Sequence, residues 1–375
     1  MAARIPSLTG IRAVAALAVC LTHAAYWTGH YTDDYLGRLL SRFEVGVAIF
    51  FVLSGYLLFG PWVRALAEDR AVPSTGRYFW HRARRILPAY WITVIAVYLL
   101  FGFYTPPDAS PTGQGWSGFL RNMTLTQVYG VGHLHSGLTQ MWSLAAEVVF
   151  YLVLPLLGYL LVVVVCRRRW RPDLLLVGIG ALLLISPIWT IAIAGSAGVN
   201  PTARLWAPAF FGWFAAGMGL AVCARLIRSW PATASVTVAV AAFLLSATAI
   251  AGEPTITPLS GSAAVVKHAL YVIIAIALIG PLAMGDQSDW WARLCGSRPM
   301  VWLGEISYEF FLVHVVVLEI VMDLLGYRVF AGSAPIAFAA TTAASIPIAW
   351  LLHRLTVPVI ARGRRFDADS ARTMG

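Results

Sequence analysis

The sequence predicts an all-α, polytopic membrane protein of about ten transmembrane helices with both termini cytoplasmic. Three observations carry that prediction. The 375 residues are 59% hydrophobic and only 12% charged, with a mean hydropathy of +0.75, whereas soluble domains carry about 25% charged residues. Apolar stretches of roughly 18 to 25 residues, enough to cross a hydrocarbon core of about 30 Å, recur along the whole chain. The cations are spread unevenly between those stretches. This composition excludes a water-soluble globular enzyme and a disordered chain, which needs low hydrophobicity. The net charge of +10 reads as a mark of cytoplasmic loops, and no nucleic-acid partner is expected.

The expected spans lie near 8–28, 44–63, 86–104, 140–166, 174–194, 206–224, 234–252, 262–284, 300–325 and 333–357. The first follows Arg4 like a secretory signal. Arg12 interrupts it and no small-residue cleavage site follows, so it reads as an uncleaved helix. With both ends inside, the inner segments hold twenty arginines and the outer ones hold six cations, Arg38, Arg42, Arg121, Arg204, Lys267 and Arg328. That bias fits an even number of spans. Residues 1–358 form a single membrane domain containing the outer loop 105–139, and 359–375 a basic cytoplasmic tail. The loop is rich in Pro and Gly, and a connection that long is more often functional than idle. Cys20, Cys166, Cys223 and Cys295 are far apart, suggesting neither a disulfide framework nor a metal site.

Ionisable side chains inside a span cost about 2.5–3.5 kcal/mol on insertion scales and call for explanation. Arg12 and His23 are eleven residues apart, which on a helix returns them to one face about 16 Å apart. Arg12 alone fits snorkelling to headgroups and His23 alone an interhelical hydrogen bond; together they suggest a conduit with a charge anchor and a titratable group. In the fourth span Gln140, Ser143, Glu147 and Tyr151 form a polar stripe. Depth counting puts Glu147 near the level of His23, where it could orient the imidazole of a general base. Trp142 fits an interfacial belt.

Further along, Arg82 and Arg85 share a face, and paired guanidiniums suit bidentate phosphate capture as well as a plain topology signal. Ser307 and His314 share a face beside Glu305 and Glu309, and His314 reads as a packed interior histidine. Ser54 and Gly55 are small residues in mid-span, where backbones can approach closely. His30 and Asp34 match the His-x3-Asp spacing of some soluble acyltransferases, an isolated loop signal that is set aside.

Taken together, Leu8-Thr9-Gly10-Ile11-Arg12 with His23, Phe50 to Gly55, Arg82-x2-Arg85-Ile86-x-Pro88, Gln140-x-Trp142-Ser143-Leu144-x2-Glu147, Phe211 to Met218, and Trp302 to Tyr308 closing on His314 resemble the acyltransferase-3 family of integral membrane O-acyltransferases. The resemblance spans essentially the whole chain, in the family's order. One departure is Thr356-Val357-Pro358, where the family often has a Glu before the final Pro. The resemblance implies a ten-helix fold in the inner (plasma) membrane that moves an acyl group, acetyl above all, from cytosolic acyl-CoA to a hydroxyl of a sugar or glycolipid on the outer side. Arg12, Arg82 and Arg85 would hold the CoA phosphates. His23 would be the base, with Glu147 as its partner, and Gln140, Trp142 or Ser143 would contact substrate or the oxyanion. Acyl-CoA, the acceptor and membrane lipids are the expected partners, with no metal. A narrower resemblance is to the branch that O-acetylates trehalose monomycolate, with loop 105–139 as the acceptor site; macrolide O-acyltransferases share the size and core. A glycolipid flippase is the competing class, weakened because the two halves show no self-similarity.

Overall fold

In a computed structural model, described for residues 5–106, 108–194, 199–255 and 260–373 with side chains to residue 358, the described residues contain helices and no strands. Arg4, Pro107 and the side chains of the 359–375 tail lie outside them.

The chain begins with α1 (Pro6–Trp27), unbroken through both Arg12 and His23. Its first turn contains a proline, which needs no amide partner there. A short outer helix α2 (Tyr35–Ser41) leads into α3 (Val45–Ala67). After α4 (Thr75–Phe103) and the short α5 (Trp116–Met123), α6 (Trp142–Tyr159) descends. The fifth expected span is broken into α7 (Pro172–Leu183) and α8 (Ile185–Ala194). Then come α9 (Ala207–Cys223), α10 (Ala232–Ser246) and α11 (Gly261–Met284). Two short helices, α12 (Trp290–Cys295) and α13 (Arg298–Glu305), precede α14 (Ser307–Leu324) and α15 (Ala334–Thr373).

Each expected span has a helical counterpart. Eight helical segments among the described residues are long and apolar enough to cross a membrane. The other two are α10, with 15 residues, and α14, whose 18 residues carry Glu309, Glu319 and Asp323. The fold is therefore that of an all-α polytopic membrane protein.

Close packing depends on glycine. A Cβ on Gly55 would meet the Phe214 carbonyl oxygen at 2.1 Å, and one on Gly217 would meet that of Val52 at 1.9 Å. The α3–α9 crossing is thus backbone against backbone, as the small residues in mid-span predict. Beside it Phe51, Phe214 and Phe150 stack at 4.4 and 4.0 Å between centroids, tying α3, α9 and α6 together. The start of α1 is seated the same way, because a Cβ on Gly10 would lie 1.8 Å from the Cys295 carbonyl oxygen.

The cations that the sequence assigns to the outer connections are largely committed. Arg38 pairs with Glu253 at 2.9 Å, Lys267 with Glu44 at 2.8 Å and Arg328 with Asp108 at 3.3 Å. Arg42 is buried and donates to the carbonyls of Ser246 (2.7 Å), Ala251 (3.3 Å) and Gly252. Loop 105–139 is a folded cap rather than an open connection. Asn122, fully buried, donates to the Gly118 and His133 carbonyls at 2.9 and 3.0 Å and accepts at its own carbonyl from the Tyr90 hydroxyl.

Candidate active site

α1 presents His23, half-buried, to α14, which presents His314, fully buried. The His23 Nδ1 to His314 Nε2 distance is 3.0 Å, and His314 Nδ1 lies 2.8 Å from the Phe311 carbonyl oxygen. A carbonyl can only accept, so with both rings neutral the protons are fixed in sequence. His314 donates from Nδ1, its Nε2 accepts, and His23 must donate from Nδ1. His23 Nε2 is then the unprotonated, basic nitrogen. Gln140 steadies the far end, its Nε2 donating to the Leu312 carbonyl at 2.7 Å and the Phe311 carbonyl at 3.4 Å.

The expected His23–Glu147 pair does not form. Glu147 accepts from the Ser54 hydroxyl at 2.6 Å and from the Tyr151 hydroxyl. Arg82 stands over the Tyr151 ring, 6.0 Å from its centroid. Arg85, exposed although it lies on a spanning helix, is within the electrostatic reach of Arg82, Tyr151, Glu309 and Glu147. Glu147 therefore belongs with the arginines. Depth counting gives a level along a helix but not a lateral neighbour: α6 starts at Trp142 after a 3-10 turn over Ser136–Met141, and its Glu147 carboxylate meets Ser54 in mid-α3 rather than α1.

The same turn redirects the rest of the predicted stripe. Gln140 is buried and faces α14, where it donates to backbone carbonyls beside His314. Ser143, also buried, donates to the Gln140 carbonyl at 3.3 Å. Trp142 lies against Phe210, with centroids 4.8 Å apart, and lines a cavity of about 410 Å³. Arg12 is half-buried eleven residues before His23 on the same helix. Lower on α14, Glu309 pairs with His353 at 2.9 Å.

The His30–Asp34 signal resolves as structural. Asp34 caps α2, accepting from the Gly37 amide and the Thr32 hydroxyl, each at 2.7 Å. Those bonds hold its carboxyl below the usual carboxylate range. His30 bonds instead to the Thr28 hydroxyl at 2.9 Å. At the α3 terminus Glu68 joins Arg225 at 2.7 Å and Arg70 at 3.1 Å, and the Arg225 bond depresses its carboxyl.

Two features escaped sequence reading. His314 was visible as an intramembrane histidine but gave no sign of its partner 291 residues away. Glu44 and Lys267 gave no sign of the cavity they share.

Comparison with known proteins agrees with this architecture. The family model described as "Acyltransferase domain", of the acyltransferase-3 family, matches residues 5–354. The chain is 30% identical over 376 residues to Acyltransferase MdmB of Streptomyces mycarofaciens, covering 96% of this chain and 89% of that protein. It is 26% identical over 353 residues to Peptidoglycan O-acetyltransferase OatA of Listeria monocytogenes, covering 86% of this chain but only half of that relative. Nodulation protein 10 of Rhizobium leguminosarum is 28% identical over 194 residues, 46% of this chain and 48% of that protein. No solved structure matches the chain.

Proposed function

The chain belongs to the acyltransferase-3 family, and from that premise we propose that this membrane O-acyltransferase moves an acyl group, acetyl above all, from cytosolic acyl-CoA to a hydroxyl of a sugar or glycolipid, with His23 as general base. The single observation that carries the reading is the His23–His314–Phe311 chain of 3.0 and 2.8 Å contacts, which leaves a basic nitrogen on a half-buried ring. Its helix also carries Arg12 on the side of the arginine-rich connections.

Arg82 and Arg85, with Arg12, hold the phosphates of the donor at the cytosolic mouth. The acyl thioester reaches His23 through the bundle. His23 Nε2 takes the proton of the acceptor hydroxyl as the oxygen attacks the thioester carbonyl. The C–S bond then breaks, and the imidazolium returns that proton to the departing thiolate, giving the ester and free CoA thiol. Glu147 and Tyr151 set the field around the arginines. The protein resides in the plasma membrane with the arginine-rich ends cytosolic.

His23→Ala in purified, folded protein tests this. Loss of a general base lowers turnover by about 10²–10⁴-fold, followed as free thiol released from acetyl-CoA in the presence of acceptor. Turnover near that of the wild type would remove the assignment.

A further inference from the structure

At the end of the bundle opposite the arginine-rich connections, the walls of the roughly 410 Å³ cavity include Glu44, Trp142, Asn200, Trp213, Lys267 and Tyr271. We propose that this cavity, rather than loop 105–139, is the chamber that binds a hydroxyl-rich ring of the acceptor, with Glu44 as its hydrogen-bond anchor. This rests on the acyltransferase reading and adds where the acceptor sits.

The volume falls within the roughly 300–1,000 Å³ of small-molecule sites. Its chemistry is mixed in a specific way. The Glu44 side chain is 41% exposed and Lys267 only 14%. Lys267 Nζ and the Tyr271 hydroxyl reach the same oxygen, Oε1, at 2.8 and 3.0 Å. One edge of the carboxylate is thereby locked, and Oε2 remains for a ligand's hydroxyl. An acyl chain lodged here would desolvate the carboxylate and ammonium without offering either a hydrogen bond, which is costly. A polyol ring can bond to Glu44 and Asn200 while its C–H face lies on Trp142 or Trp213.

One wall of the chamber stands on the segment that packs against the helix of the base. Thr22, next to His23, donates to the Leu40 and Ser41 carbonyls at 3.1 Å, four and three residues before Glu44. A Cβ on Gly46 would meet the Ala15 carbonyl and Val19, so α3 crosses α1 about one to two turns before His23. Val47, the next residue, lines the chamber. Trp142 joins it to the Gln140–His314 support. By contrast, the cavity that includes Pro106, Asp108 and Ala109 of the loop holds about 200 Å³.

The test uses the full chain in lipid nanodiscs, with methyl β-D-glucopyranoside as probe and methoxycyclohexane, a ring without the hydroxyl set, as control. Saturation-transfer NMR reads binding. The wild type binds the glycoside over the control. Glu44→Gln removes a charged acceptor, and Ala194→Trp fills the cavity wall without touching the ion pair. Each weakens glycoside binding by about tenfold or more while acetyl-CoA binding is unchanged. Equal binding of both probes, no glycoside binding, or glycoside binding indifferent to Ala194→Trp in folded protein overturns the proposal. Glycoside binding without any acyl transfer to any hydroxyl would instead defeat the acyltransferase reading and leave the chamber standing.

Discussion

Replacing His314 isolates the contribution of the second ring. In the resting state the His23–His314 contact of 3.0 Å is a bond between neutral groups, worth about 0.5–1.5 kcal/mol. Once His23 carries the acceptor's proton, its Nδ1–H donates as an imidazolium, and such bonds are worth about 1.5–3 kcal/mol. The increment appears as charge develops, so its loss falls on kcat rather than on substrate binding. His314→Ala also frees the His23 tautomer. The increment of about 1–2 kcal/mol predicts a fall in kcat of about 5–30-fold, with KM for acetyl-CoA unchanged, measured by thiol release under saturating donor and acceptor. His314 is fully buried, so a thermal melt must first establish a folded variant. His314→Gln, which can accept from His23 and donate to Phe311, recovers most of the rate. A folded His314→Ala protein with kcat within about twofold of wild type would refute the reasoning.

Five other substitutions separate the remaining roles. Arg82→Ala and Arg85→Ala each raise KM for acetyl-CoA by about tenfold, the loss of one charge-assisted phosphate contact, and leave acceptor KM unchanged; calorimetry with CoA alone checks it. Glu147→Gln keeps a partner for Ser54 and Tyr151 but removes an anion beside the arginines. It lowers acetyl-CoA KM and keeps kcat within about threefold, whereas a partner of the base would cost kcat about 10²-fold. Gly217→Ala forces a methyl against backbone at 1.9 Å and destabilises by about 1–3 kcal/mol. Gly60→Ala, where a Cβ meets nothing within 4 Å, melts like the wild type.

Much of the architecture was legible because the bilayer constrains sequence strongly. Span length, the arginine distribution and mid-span Ser54-Gly55 each have a direct physical reading, and the eleven-residue spacing on α1 survives as one helix. What could not be read was which polar groups meet across helices. Counting depth from span ends assumes that every helix starts where its apolar run starts. It says nothing of lateral packing, which sets Glu147 against Ser54 of α3 and Gln140 against α14. The His23–His314 contact needs α1 and α14 to lie side by side; the start of α1 is seated on the two helices that lead into α14, with Gly10 against the Cys295 carbonyl of α12 and Gly304 of α13 against the Thr9 carbonyl, which no periodicity reveals. The cavity was invisible for the same reason, since its walls come from five separate stretches of chain.

The two-imidazole chain ends at the carbonyl of Phe311, a group with no hydrogen to pass on. Whatever His23 picks up therefore has no onward route through His314, and this chain gives protons no way across the bilayer. On the proposed chemistry the proton that His23 takes up leaves again from the same ring, so turnover through this pair leaves the transmembrane gradient untouched.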